Sequence, residues 1–160
     1  MIYLDYSATT PVAYDVLESY TRATKDFMGN PNSLHSLGVK SKALMHSAVK
    51  QISDIFNVLE SEITFTAGAT MSNNLALIGT ALANMKYGNH ILVSKLEHPS
   101  IYSICKYLEN IGFEIGYIDN TEEGLIDFEN LKHQMRDDTI FVSVCAVNSE
   151  MGIRQPLKMI

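Results

Sequence analysis

The chain has 160 residues, 46% of them hydrophobic and 19% charged, which supplies enough apolar material for one domain-sized core and too much for a disordered segment. The formal net charge is −6, and the acidic excess lies entirely beyond Leu108, so no basic stripe is available to neutralise phosphates and nucleic acid is excluded as a first partner. The longest apolar stretch, residues 75–83, falls far short of the roughly 20 residues a spanning helix needs, and no basic segment precedes Asp5, so neither membrane nor secretory signal is read and a cytoplasmic location is expected.

In chain order, residues 5–11 (DYSATTP) form a small polar arm. Residues 12–27 carry Val16, Leu17 and Tyr20 at helical spacing, and residues 27–35 (FMGNPNSLH) make a turn-rich loop. Residues 36–56 repeat the helical pattern with Leu37, Leu44, Ile52 and Ile55. From there short β-branched runs alternate with helices. Strands are expected at 62–66 (EITFT), 90–94 (HILVS), 113–118 (FEIGYI) and 139–144 (TIFVSV); helices are expected at 70–87, 100–111 and 128–135. Strand–helix–strand order with nearly continuous apolar strands predicts an α/β fold, a mostly parallel sheet with helices on both faces. Pro156 reads as the opening of a further helix with only residues 157–160 after it, so the chain is expected to be truncated at its C-terminal end.

Open α/β sheets bind ligands beyond the carboxyl ends of their strands, so the segments that follow the strands are where chemistry is sought. Gly68-Ala69-Thr70 leads into a helix whose free N–H groups suit an anion such as a phosphate; an ordinary N-cap would look the same. His98, before Pro99 at a helix start, could offer its ring face to a flat ligand or its nitrogen to a substrate proton, or be a half-buried cap. Asn148 follows a buried strand, where it could hold a ligand oxygen or simply close a turn on its own backbone.

Other candidates are weaker. Cys105 and Cys145 are too far apart for a CxxC motif and too few for a disulfide framework, and both read as apolar filler. His35, His46, His90 and His133 have no ligand spacing, so no metal site is expected. Lys95, at a strand end, reads as a solvated surface lysine.

Taken together, YLDYSATTPV (3–12), GNPNSLHSLG (29–38), ITFTAGATMSNNLAL (63–77), SKLEHPS (94–100), GLIDFENL (124–131) and VNSEMGIRQP (147–156) closely resemble the amino-terminal part of cysteine desulfurases. These are pyridoxal 5'-phosphate (PLP) enzymes of the class V aminotransferase group. The resemblance implies an incomplete large domain of a fold type I PLP-dependent transferase over residues 1–160: arm, helix and loop in 1–35, and a cofactor-binding α/β region in 36–160. It implies that Ala69 and Thr70 bind the cofactor phosphate, that His98 stacks on the pyridine ring and helps move protons, and that Asn148 bonds the phenolic oxygen. The activity it implies is removal of sulfur from L-cysteine, leaving L-alanine and an enzyme-bound persulfide for iron–sulfur cluster or thiolation pathways. A homodimer and a sulfur-acceptor or scaffold protein are implied as partners.

Three positions depart from the family pattern: Met71 stands for a usual Glu, Ser149 for a second Asn, and Ala146 for a common His. Neither Lys95 nor Cys105 or Cys145 matches the family's Schiff-base lysine or persulfide cysteine, whose motifs lie beyond the matching region. Selenocysteine lyase or another class V enzyme is an alternative, as is a non-catalytic phosphate-ligand or dimerisation module.

Overall fold

The computed structural model describes residues 2–160 and divides into two compact units, one up to Phe65 and one from Thr66 to Ile160.

The first unit is helical. Helix α1 (Tyr14–Asp26) and helix α2 (Ser36–Phe56) are joined by the loop of residues 27–35. The glycines of that loop motif are there for close approach. A Cβ on Gly38 would run into the carbonyl oxygen of Ser33, and one on Gly29 into the backbone of Leu37. His35 caps α2, its Nδ1 accepting the Gly38 N–H at 3.2 Å, and Ser41 on α2 donates back to the Phe27 carbonyl at 3.1 Å. Asn57, in the left-handed conformation, ends α2. A 3₁₀ turn follows at Glu60–Glu62.

One expected strand is corrected here. Residues 62–66 are extended in part but pair with nothing among the described residues. β-branched composition makes a segment ready for a ladder; only a neighbouring strand makes it one.

The second unit is a three-stranded parallel sheet with helices on both faces. After α3 (Ala69–Asn84) come β1 (His90–Ser94), α4 (Pro99–Asn110), β2 (Glu114–Ile118), α5 (Phe128–Gln134) and β3 (Thr139–Ser143). The strand order is β2-β1-β3, both pairings parallel. Strand alternation feeds two cores. Ile91 and Val93 of β1 pack with Ala81 of α3 and with Ile101, Ile104, Cys105 and Leu108 of α4. Leu92 points the other way, with Ile118, Ile126 and Leu131 of α5. β1 is buried along its whole length, which explains its unbroken apolar run. Asp127 caps α5 by accepting the N–H groups of Glu129 and Asn130.

The amino ends of the strands carry a charged clasp. Arg136 pairs with Asp138 and, at 2.6 Å, with Glu114, while buried His90 bonds Thr139 Oγ1 at 2.8 Å. Burial, then the Arg136 charge, holds His90 below its usual value.

Candidate active site

β1 is followed by α4 and β2 on one side, and β3 then returns to the other side of β1. The lateral order in which strands are added therefore reverses between β1 and β3, and the crevice at such a switch point is where open α/β sheets hold ligands. Its walls are residues 95–99 after β1 and Cys145 with residues 148–151 after β3, which share one cavity. His98 also lines a second, adjoining cavity with residues 67–71 at the start of α3. The segments singled out from sequence thus converge, with His98 between them.

His98 is the N-cap of α4: its Nδ1 accepts the Ser100 N–H at 3.1 Å, and Pro99 occupies the first helical turn, where its missing N–H costs nothing. Ser100 was not among the candidates from sequence, yet its hydroxyl lies 2.9 Å from His98 Nδ1 and accepts from Asn73 Nδ2 at 3.0 Å. The sequence signal available was the Ser two residues after a capping position.

The start of α3 is built differently. Among the described residues no side chain caps it, and its N-cap is Gly68. Thr66 and Ser72 bond each other at 2.6 Å instead. The first N–H groups of α3 are therefore left for a ligand, at the positive end of a 16-residue helix. A Cβ on Gly68 would meet nothing within 4 Å, so space lies beside the turn. Ala69 and Thr70 are both on this rim.

Asn148 serves its own loop. Oδ1 accepts the N–H groups of Glu150 and Met151 at 3.0 and 2.8 Å, and Nδ2 donates to the Leu96 carbonyl at 3.2 Å. That ties the loop after β3 to the loop after β1, and one Nδ2 hydrogen remains for another acceptor.

Glu97, also missed from sequence, reinforces the tie by accepting from Ser143 Oγ at 3.1 Å. Its burial pushes its carboxyl above the usual range against those hydrogen bonds. Lys95 pairs with Asp119 and is half-exposed. Cys145 lines the crevice and points its thiol at the Val147 carbonyl. Cys105 is in the core, and burial pushes its thiol up to about 11.

The Aminotransferase class-V family profile matches residues 2–160. This chain belongs to the class-V aminotransferase family. It is 43% identical over its whole length to "Cysteine desulfurase IscS 1" of Archaeoglobus fulgidus, covering 42% of that protein. Among solved structures it is similar to a "NIFS-like protein" (TM-score 0.90, 33% identity, 96% of this chain and 42% of that one). It is also similar to "SspA in complex with cysteine" (TM-score 0.88, 36% identity, 97% and 45%). The chain spans about two-fifths of the length of the curated relatives it matches.

Class-V aminotransferases depend on pyridoxal 5'-phosphate, and the donors of this chain suit that group. A phosphate ester fits an uncapped helix N-terminus, and a flat ring with an accepting oxygen fits a crevice lined by an imidazole and a partly committed amide. Among the described residues no helix is long and apolar enough to cross a membrane.

Proposed function

We propose that this chain supplies the cofactor cradle of a cysteine desulfurase, the enzyme that converts L-cysteine to L-alanine and an enzyme-bound persulfide. The observation that carries the reading is the uncapped α3 N-terminus facing the same space as His98. In this reading the N–H groups at Ala69 and Thr70, with the Thr70 hydroxyl, hold the phosphate. His98 lies against the ring, and the free Nδ2 hydrogen of Asn148 holds the phenolic oxygen. When bound, the cofactor supplies an electron sink for bond breaking next to the amino group of the substrate. Leu96, Glu97 and Ser143 keep the two walls of the crevice at a fixed separation through their bonds to Asn148 and to each other.

Cysteine is favoured over selenocysteine or another amino acid because similar proteins are cysteine desulfurases and one similar structure, SspA, is in complex with cysteine. A cytoplasmic homodimer delivering sulfur to an acceptor or scaffold protein belongs to the same proposal. This chain alone is expected to release no alanine from L-cysteine above a PLP-only control, since no lysine in it matches the family's cofactor-linking motif.

Equilibrium titration with PLP, followed by its absorbance, tests the cradle. Saturable binding that weakens about tenfold in Thr70→Val is expected, as for loss of one hydrogen bond to a charged group. Binding unchanged by that substitution, or inorganic phosphate stabilising the chain as much as PLP does at equal concentration, would favour a plain phosphate-ligand module instead.

A further inference from the structure

We propose that Asn73 and Ser100 are positioning residues that set the tautomer of His98, placing the ring proton of its neutral form on Nε2 and leaving Nδ1 as the acceptor. The tautomer assignment stands on this chain's own geometry; its meaning for catalysis rests on the cofactor reading above.

Two of the donors around His98 Nδ1 cannot change roles. A backbone N–H can only donate, so Nδ1 of His98, which takes the Ser100 N–H at 3.1 Å, must present a lone pair. The amide Nδ2 of Asn73 also only donates, and it reaches Ser100 Oγ at 3.0 Å. The one hydroxyl proton of Ser100 is then directed away from Asn73, and Nδ1 of His98 is the acceptor 2.9 Å away. Two donors thus converge on Nδ1, and the single ring proton of the neutral imidazole sits on Nε2. Ser100 is only 9% exposed, so water does not readily replace either bond. Glu97, next to His98 in sequence, has its carboxylate bonded to Ser143 rather than to the ring.

This relay spans two elements: Asn73 lies on α3 one turn beyond the phosphate-suited rim, and Ser100 lies in the first turn of α4. The same helix that offers N–H groups to an anion therefore also orients the imidazole beside it.

The test is ring ¹⁵N spectroscopy on the full chain labelled at histidine, near neutral pH, with the His98 signals identified by their loss in His98→Gln. Wild type is expected to show an unprotonated Nδ1 and a protonated Nε2, with the Nε2–H form at least tenfold in excess. In Ser100→Ala the excess should fall about three- to tenfold, the worth of one hydroxyl hydrogen bond, with the backbone donor retained. Asn73→Asp, nearly isosteric, should do the same by drawing the hydroxyl proton to its carboxylate, and it keeps the question open to test if the alanine variant unfolds. Ser100→Thr, which keeps the hydroxyl, should restore the wild-type ratio. An Nδ1-protonated His98 in wild type, or ratios unmoved by both Ser100→Ala and Asn73→Asp, overturns the proposal. PLP titration of the same samples separates the two readings: an intact relay without saturable PLP binding refutes the cofactor cradle and leaves the tautomer assignment standing, and the reverse result does the opposite.

Discussion

Helices α1 and α4 are both amphipathic by sequence, yet α1 has no buried residue while α4 buries Ser100, Ile101, Ile104, Cys105 and Leu108. The contrast extends to their regions. Every buried apolar residue of the described chain lies between Ala81 and Leu131; in residues 2–65 the buried positions are Gly38, Ser41 and Ser53, all on α2. Val16, Leu17 and Tyr20 hold the helical spacing of a core face and remain exposed. Apolar periodicity therefore specifies a helix and its face without specifying that the face is covered. In the second region the parallel sheet does the covering, because a strand buried on both sides demands helices above and below it. In the first, local chemistry carries the structure: a His cap, a Ser-to-backbone bond and two glycines in close contact.

The contrast predicts where substitutions hurt. Leu92→Ala, removing a fully buried side chain from the central strand, should cost about 2–5 kcal/mol in a denaturant titration. Leu17→Ala, on the exposed stripe of α1, should stay within about 0.5 kcal/mol of wild type. Equal losses at the two sites would break the distinction between the regions.

Within the first region, Gly38→Ala is expected to do more damage than any apolar truncation on α1, since its methyl would meet the Ser33 carbonyl. A loss of about 1–3 kcal/mol is the usual range for overpacking. Thermal melts of Gly38→Ala beside Leu17→Ala sharpen the comparison, and a harmless Gly38→Ala would show that the loop does not hold α2.

A pH-dependent difference should appear only in the second region. His90, held below its usual 6.5 by burial and by Arg136, stays neutral in the fold while the unfolded chain protonates first. Its contribution is present above pH 6.5 and is lost as the pH falls through its lowered folded value. Stability profiles across the weakly acidic range should therefore slope downward toward acid, and His90→Gln should flatten that slope. A wild-type profile level from neutral pH down to the carboxylate range would refute the assignment.

The smallest effect concerns the thiols and leaves stability untouched. Cys105, raised to about 11 and buried, should resist alkylation at pH 8 until the chain unfolds. Cys145 is partly exposed at the crevice and should label in the native state. Mass mapping after a short iodoacetamide pulse reads both, and prompt labelling of Cys105 would mean that the core opens easily.

Much of this protein was legible in the order of its residues. Helix α2 falls at Ser36–Phe56, as its spacing indicates, and β1 at His90–Ser94, because local periodicity and β-branched runs are short-range signals that survive into any fold. The six ordered motifs, likewise, were enough to point to the class-V family. What sequence could not decide are the facts that need a partner. Residues 62–66 have the composition of a strand and form none, since a ladder requires a second strand to supply its hydrogen bonds. The site was readable as strand ends, but not the bonds that organise it. Asn73 to Ser100 to His98 and Glu97 to Ser143 join residues 27 and 46 positions apart. Such contacts are made by the packing of α3 on α4 and by the return of β3 beside β1, and no window of sequence contains both ends.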